Sequence, residues 1–151
     1  MKSTNALSQI IRRLRGENGC AWDREQTAQS MWKCLAEEVY ELQDAIAADD
    51  LANIREELGD VLFQLLFIIE IFSEQKAFTL ENVVEQVALK MIRRHPHVYE
   101  DAEISTKKQL DDQWESIKKE EKSDNGIVQE SVLDRVPKGM PSLLRALKVS
   151  K

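Results

Sequence analysis

The most restrictive feature of the sequence is an apolar run of twelve residues, from Val61 to Phe72, which only Gln64 and Glu70 interrupt. A helix that crosses a bilayer needs about 20 apolar residues, so this run is too short to span a membrane. The run is apolar on nearly every side of a helix, and such a helix is buried on more than one side. The chain must therefore supply other elements that pack around it.

Composition indicates that these elements are helices. The chain of 151 residues is long enough for a domain with its own core, and its low content of Gly (5) and Pro (3) predicts few turns and long elements. Strand-like alternation has little support, so we predict an all-α fold. The formal net charge of −6 argues against a general binder of nucleic acid or anionic membranes, since both partners are themselves anionic.

Periodicity and capping residues place the helices along the chain. They predict helices over residues 4–14, 27–48, about 51–74, 79–95 and 106–121, and a short apolar helix near the C-terminus. Residues 15–23 are predicted to form a loop. Within it Trp22 is either a wall of a binding site or a plug at the edge of the core.

One acidic side chain of the helix predicted over residues 27–48 is expected to lie close to the core. The apolar residues of this helix recur at steps of three and four and form a single stripe, which consists of Met31, Leu35, Val39, Leu42 and Ile46. Glu38 lies about 60° from the centre of that stripe. A lone carboxylate near the core is unfavourable, so Glu38 needs a partner or a metal ion.

Residues 37–60 are unusually acidic, with nine of the 27 acidic side chains and a single basic one, Arg55. Like charges at this density oppose a compact fold unless a cation neutralises them. The segment contains two carboxylate pairs at three-residue spacing, Glu38 with Glu41 and Glu57 with Asp60, and such pairs are neighbours on a helix. Glu41 and Glu57 lie about eight residues either side of the turn near residue 49. An antiparallel helix pair would therefore place the two carboxylate pairs face to face.

Four carboxylates without histidine are hard oxygen ligands, which suit Mg²⁺, or alternatively Mn²⁺, better than zinc. A di-iron bundle would offer Glu-x-x-His pairs, and neither histidine of this chain follows a glutamate at that spacing. The densest basic patch covers residues 90–97. It is either a solvated helix end favoured by the helix dipole or a grip for phosphates.

Four motifs in this order resemble the MazG family of nucleoside triphosphate pyrophosphohydrolases. They are Gly19-Cys20-Ala21-Trp22-Asp23, the E-E-x-x-E of residues 37–41, Glu56-Glu57-Leu58-Gly59-Asp60, and Arg93-Arg94-His95-Pro96-His97-Val98. The resemblance extends from about residue 7 to residue 148. One departure is Ala21, where the family usually has proline, and this change should affect the stiffness of the loop more than the chemistry.

The resemblance implies a helical fold and a hydrolytic activity. The protein is expected to be an all-α homodimer whose helical hairpins form a four-helix-bundle-like core. Residues 1–122 would be the catalytic domain, and residues 123–151 a linker and helical tail leading towards a second domain. The expected reaction cleaves a nucleoside triphosphate between its α- and β-phosphates, giving a nucleoside monophosphate and pyrophosphate.

The resemblance also assigns roles to individual residues. The Mg²⁺ ligands would be Glu38, Glu41, Glu57 and Asp60. Glu37 matches an acidic neighbour that orients the ligands or helps to activate water, and our mechanistic hypothesis takes Glu37 or Glu38 as the base. The substrate-binding residues would be Lys90 and Arg94 for phosphates, with Trp114 and Lys118 at the nucleotide; Trp22 could add a second stacking wall.

A second interpretation is a catalytically weak helical domain with a regulatory or dimerisation role, which binds nucleotide or protein partners. The retained acidic set argues against it. No stretch encodes a preference for one base, so broad house-cleaning specificity is expected. Cys20 and Cys34 match no metal-binding spacing, and the N-terminus has no apolar leader. We therefore expect reduced thiols and a cytoplasmic location.

Overall fold

The computed structural model describes residues 4–100, 106–124, 136–137 and 139–149, and none of these residues lies in a β-strand. The prediction of an all-α fold is confirmed. The helices are α1 (Thr4–Arg15), α2 (Ala21–Glu25), α3 (Ala28–Ala47), α4 (Leu51–Glu74), α5 (Leu80–Arg94), α6 (Pro96–Tyr99), α7 (Lys107–Asp124) and α8 (Ser142–Val149). Within this described part, no helix is both long and apolar enough to cross a bilayer. The chain divides into two compact units, Met1–Val87 and Ala88–Lys151.

Side-chain caps fix where the two long helices of the first unit begin. The Thr27 side chain accepts the backbone N–H of Ser30, whose hydroxyl in turn accepts the N–H of Thr27, and this reciprocal pair starts α3. The Asp50 carboxylate accepts the N–H groups of Ala52 and Asn53 and starts α4. Between the helices, Asp49 takes a left-handed conformation with φ of 54°. Because α3 ends at Ala47 and α4 begins at Leu51, the connection between the two helices is short, as predicted.

The core of the first unit forms where α4 packs against α3 and α1. Its buried members are Ile11, Met31, Leu66, Phe67 and Ile71. The apolar run thus supplies most of the core, and α1 and α3 each contribute the side chain that faces it.

The helix α4 is nevertheless not buried on every side that its apolar sequence would allow. Leu58, Leu62 and Leu65 recur at steps of four and three and are 53%, 40% and 45% exposed. We call these three residues the apolar face of α4. The predicted stripe of α3 is also only partly buried, since Val39 and Ile46 are exposed. Within one chain, two packed helices cover only part of the circumference of α4.

Arg15 joins three helices of the first unit. Its side chain is only 7% exposed and forms a two-pronged ion pair with Glu74 of α4, with both N···O distances 2.7 Å. Nη1 also donates to the carbonyl oxygens of Asp23 and Gln26, at 2.6 and 3.2 Å. The guanidinium carbon lies 5.2 Å from the centre of the Phe67 ring. Arg15 therefore attaches α2 to the end of α4.

The predicted loop over residues 15–23 is wrong in its last part, because residues 21–25 form α2. Asp23 is buried there, whereas Trp22 is 57% exposed. Successive positions on a helix point about 100° apart, so burial of Asp23 turns its neighbour outward. The interpretation of Trp22 as a plug at the core edge is therefore also wrong.

In the described part of the second unit, the end of α5 is followed by α6, α7 and α8. Pro96 begins α6 and ends the preceding helix at Arg94, as predicted. Thr106 and Gln109 cap each other's backbone N–H groups where α7 begins. This helix continues three residues past its predicted end, through Asp124. Residues 125–130, which belong to the linker predicted to begin at residue 123, lie outside the described residues.

Candidate metal centre

Three carboxylates of the helix pair α3–α4 converge. One oxygen each from Glu38, Glu41 and Glu57 lie within 4.8 Å of one another. Magnesium binds oxygen at 2.0–2.1 Å, so two ligands on opposite sides of the ion are about 4.2 Å apart. Neighbouring ligands of an octahedral ion are closer, about 3 Å apart, so side-chain rotations must bring the three oxygens nearer to one another before they share one ion. We call these three residues the carboxylate cluster.

Glu57 is the buried member of the carboxylate cluster, with 7% of its surface exposed. Its Oε2 atom is buried and has no hydrogen-bond partner. Burial raises the pKa of Glu57 above its usual value, and the negative charges of Glu41, Glu38, Asp60 and Glu56 raise it further. An ionised carboxylate in such a place is unfavourable unless a positive charge compensates it. The cluster thus has the hard oxygen donors and the uncompensated charge that suit a divalent cation.

The other two acidic residues of the predicted site lie beside the cluster rather than in it. Asp60 is exposed, one turn after Glu57 on α4, and it is close enough for its charge to act on the pKa of Glu57. Glu37 is exposed on α3, next to Glu38. Their predicted roles, as a metal ligand and as a base, stay predictions.

Gln64 is a residue of this region that the sequence motifs missed. It is buried, and its Nε2 lies 3.5 Å from Oε1 of Glu38. Its Oε1 is buried without a partner. The available signal was its position, because Gln64 is a polar residue inside the apolar run and follows Glu57 by seven, or about two helical turns.

In the second unit, the predicted phosphate-binding Arg94 is already paired. Its Nε and Nη2 atoms contact Oε2 of Glu121 at 3.1 and 2.5 Å, and Arg93 donates to the other oxygen at 2.9 Å. The guanidinium carbon of Arg94 lies 5.1 Å from the centre of the Trp114 ring. The structure thus brings together Arg94 and Trp114, which are 20 residues apart in sequence. It also adds Glu121, which the motifs did not indicate.

The remaining predicted substrate contacts are distributed over both units. Lys90 is half-buried one turn before Arg94 on α5. Lys118, on α7, forms an ion pair of 2.6 Å with Glu115. Trp22 belongs to the first unit and is exposed on α2. The roles of these residues in substrate binding stay predictions.

A family model matches the part of the chain that contains the carboxylate cluster. Residues 26–99 match the family model of the MazG nucleotide pyrophosphohydrolase domain. The chain carries a MazG domain. This domain contains the whole carboxylate cluster together with Lys90 and Arg94. Trp22 precedes the matched residues, and Trp114 and Lys118 follow them.

Curated relatives match nearly the whole chain but are longer proteins. A nucleoside triphosphate pyrophosphohydrolase of Escherichia coli K12 is 40% identical over 152 residues, which cover 100% of this chain and 57% of that protein. A nucleoside triphosphate pyrophosphohydrolase/pyrophosphatase MazG of Thermotoga maritima is 40% identical, over 96% of this chain and 54% of that protein. The uncharacterised protein YabN of Bacillus subtilis is 44% identical, over 94% and 28%. The chain thus spans little more than half the length of these relatives at most.

The fold of the MazG domain is also found in a solved structure. The crystal structure of a mazG-related protein from Thermotoga maritima matches 76% of this chain and 98% of its own, with a TM-score of 0.65 and 29% identity. This similarity agrees with the all-α fold described above.

Proposed function

We propose that this chain catalyses metal-dependent hydrolysis of nucleoside triphosphates to nucleoside monophosphates and pyrophosphate, with Mg²⁺ as the ion and broad specificity for the base. The observation that carries the proposal is the carboxylate cluster with its buried, unpartnered Glu57 oxygen. The names of the E. coli and T. maritima relatives support the reaction class.

Each acidic residue of the site has a proposed role. Glu38, Glu41 and Glu57 would hold the ion, with Asp60 as a fourth oxygen donor beside them. A bound Mg²⁺ supplies charge neutralisation at the phosphate oxygens and lowers the pKa of bound water. Glu37 or Glu38 accepts a proton from the attacking water.

Cationic side chains complete the proposed substrate contacts. Lys90, Arg94 and Lys118 would stabilise the negative charge of the departing pyrophosphate. Arg94 can do so only if phosphate shares or displaces the Glu121 carboxylate that it now contacts. Trp114 and Trp22 would stack on the base, and stacking accepts any base because every base has a π face.

The reaction is tested by pyrophosphate release from a panel of ribo- and deoxyribonucleoside triphosphates, with Mg²⁺ and with EDTA. We expect Glu38→Ala to abolish release while the helical content is kept. Asp44→Asn is the matched control, because Asp44 is an exposed acid of the same segment outside the cluster. Full activity of Glu38→Ala would show that the ligand assignment is wrong.

The second candidate is a regulatory or dimerisation module without turnover, and the exposed apolar residues favour an interaction role. A calorimetric titration with Mg²⁺ and a non-hydrolysable triphosphate separates the two candidates. Binding of both ligands without any pyrophosphate release from hydrolysable substrates would favour the module.

We also propose that the chain forms a homodimer in which the apolar face of α4 is covered by a second copy. Two helix pairs packed in this way would give a four-helix bundle. The apolar side chains of α8 are exposed as well, from 46% at Val149 to 87% at Leu143, so this helix offers a second contact surface. The predicted domain boundary near residue 122 and the cytoplasmic location stay predictions.

A further inference from the structure

Gln64 is poorly placed if its task is to stabilise the fold. Only 8% of its surface is exposed, it precedes the core residues Leu66 and Phe67 by two and three positions on α4, and its Oε1 has no hydrogen-bond partner. A buried polar atom without a partner destabilises the folded state. An apolar side chain of similar length would satisfy the packing without this defect. Packing alone therefore does not explain an amide at this position.

The position of Gln64 points to the carboxylate cluster. Glu57, Asp60 and Gln64 are separated by three and four residues, so they lie on one face of α4. From that face, Nε2 of Gln64 approaches Oε1 of Glu38 on α3. Of the two orientations of the amide, only this one presents an N–H donor to an ionised carboxylate. At 3.5 Å the hydrogen bond is long, and a small side-chain rotation shortens it.

We propose that Gln64 is a positioning residue that fixes the orientation of the Glu38 carboxylate for metal binding. This inference rests on the proposed function. An amide donor occupies one oxygen of Glu38 and leaves the other oriented for the cation. Because glutamine is neutral, it provides this bond without adding a charge to a cluster whose members already repel one another. Hydrogen bonds that orient metal ligands in this way contribute about 10- to 100-fold to metal affinity.

The test compares metal affinity with stability in the full chain. Gln64→Met keeps the length and volume of the side chain and removes the donor, and Gln64→Leu removes it with a different shape. Gln86→Met is the matched control, since Gln86 is exposed on α5. Mn²⁺ affinity is measured from the free-ion signal in electron paramagnetic resonance, and thermal unfolding is measured in metal-free buffer.

We expect both Gln64 variants to bind Mn²⁺ at least about 10-fold more weakly than wild type. Their unfolding temperatures in metal-free buffer should equal or exceed that of wild type, because a buried unpaired oxygen has been removed. Gln86→Met should change neither quantity.

Three results would overturn the inference. Unchanged Mn²⁺ affinity in both variants, with normal binding by wild type, would overturn the role of Gln64 and leave the metal site intact. Unfolding several degrees below wild type in both variants would make the amide a structural element. Failure of wild type itself to bind Mn²⁺ would refute the metal site of the proposed function, and the inference with it.

Discussion

Replacement of Glu121 by Gln provides a quantitative test of the cation network in the second unit. Glu121 is 8% exposed and its carboxylate contacts both Arg93 and Arg94. The Arg94 side chain is 18% exposed and the Arg93 side chain 58%, so solvent weakens the Arg93 contact more. Hydrogen bonds to charged groups contribute about 1.5–3 kcal/mol, and exposed pairs about 0.5 kcal/mol. A glutamine at this position keeps one hydrogen-bond acceptor, the amide oxygen, but lacks the negative charge of the carboxylate.

We therefore expect Glu121→Gln to lower the free energy of unfolding by about 2 kcal/mol at neutral pH, combining the arginine contacts. For a chain of this size, that loss lowers the unfolding temperature by roughly 4–8 °C. The control is Glu115→Gln, because Glu115 forms an exposed ion pair with Lys118 on the same helix. Such a pair contributes about 0.3–0.5 kcal/mol.

The effect should also depend on pH, with a sign fixed by the structure. The hydrogen bond from Arg94 is the main cause that holds the pKa of Glu121 below its ordinary value of 4.5, and Arg93 adds to it while burial partly opposes it. A carboxyl group whose pKa is lower in the folded state stabilises the protein above its unfolded-state pKa. That stability is lost as the pH falls through the folded-state pKa.

The assay is urea unfolding of wild type and both variants, at pH 7 and at a series of pH values below 4.5. The gap between wild type and Glu121→Gln should be largest at pH 7 and should shrink in the acid series. The reasoning is refuted if Glu121→Gln is no less stable than Glu115→Gln at pH 7, or if the gap widens in acid.

Three further predictions concern the proposed function. Glu57→Gln should raise the unfolding temperature in metal-free buffer, since it removes a buried charge from among like charges. The variant should also lose the stabilisation that wild type gains from Mg²⁺, which is about 2.7 kcal/mol when the Mg²⁺ concentration is one hundred times Kd. A metal response equal to that of wild type would contradict this. Arg94→Ala should mainly raise KM for nucleoside triphosphates in steady-state kinetics, with Arg94→Lys intermediate. Unchanged kinetics would limit Arg94 to its structural ion pair with Glu121. Leu62→Lys should convert a dimer to a monomer in light scattering, whereas an unchanged mass would place the dimer contact elsewhere.

Much of the first unit was predictable because its determinants are local. The bounds of α4 follow from the Asp50 cap and the apolar run, and both can be recognised in sequence. The convergence of Glu41 and Glu57 follows from their equal distance from a short turn. The fold class and the three members of the carboxylate cluster therefore needed only helical periodicity and one connection.

The features that were missed depend on contacts distant in sequence. Glu121 pairs with Arg94 across 27 residues, and no periodic pattern of either helix encodes that choice. The exposure of Leu62 depends on how much of α4 its two neighbours cover, which is a property of the assembled unit. Gln64 was visible only as an interruption of the apolar run, and its significance required the distance to Glu38.

The contacts of Arg15 have a consequence for how the first unit opens. The helix α2 has five residues and is far too short to be stable alone, so its order depends on contacts with the rest of the first unit, among them those that Arg15 makes at the carbonyl oxygens of Asp23 and Gln26. The same guanidinium is held by Glu74 at the last turn of α4. In hydrogen exchange, the amides of α2 should therefore lose protection together with the end of α4, as one cooperative unit.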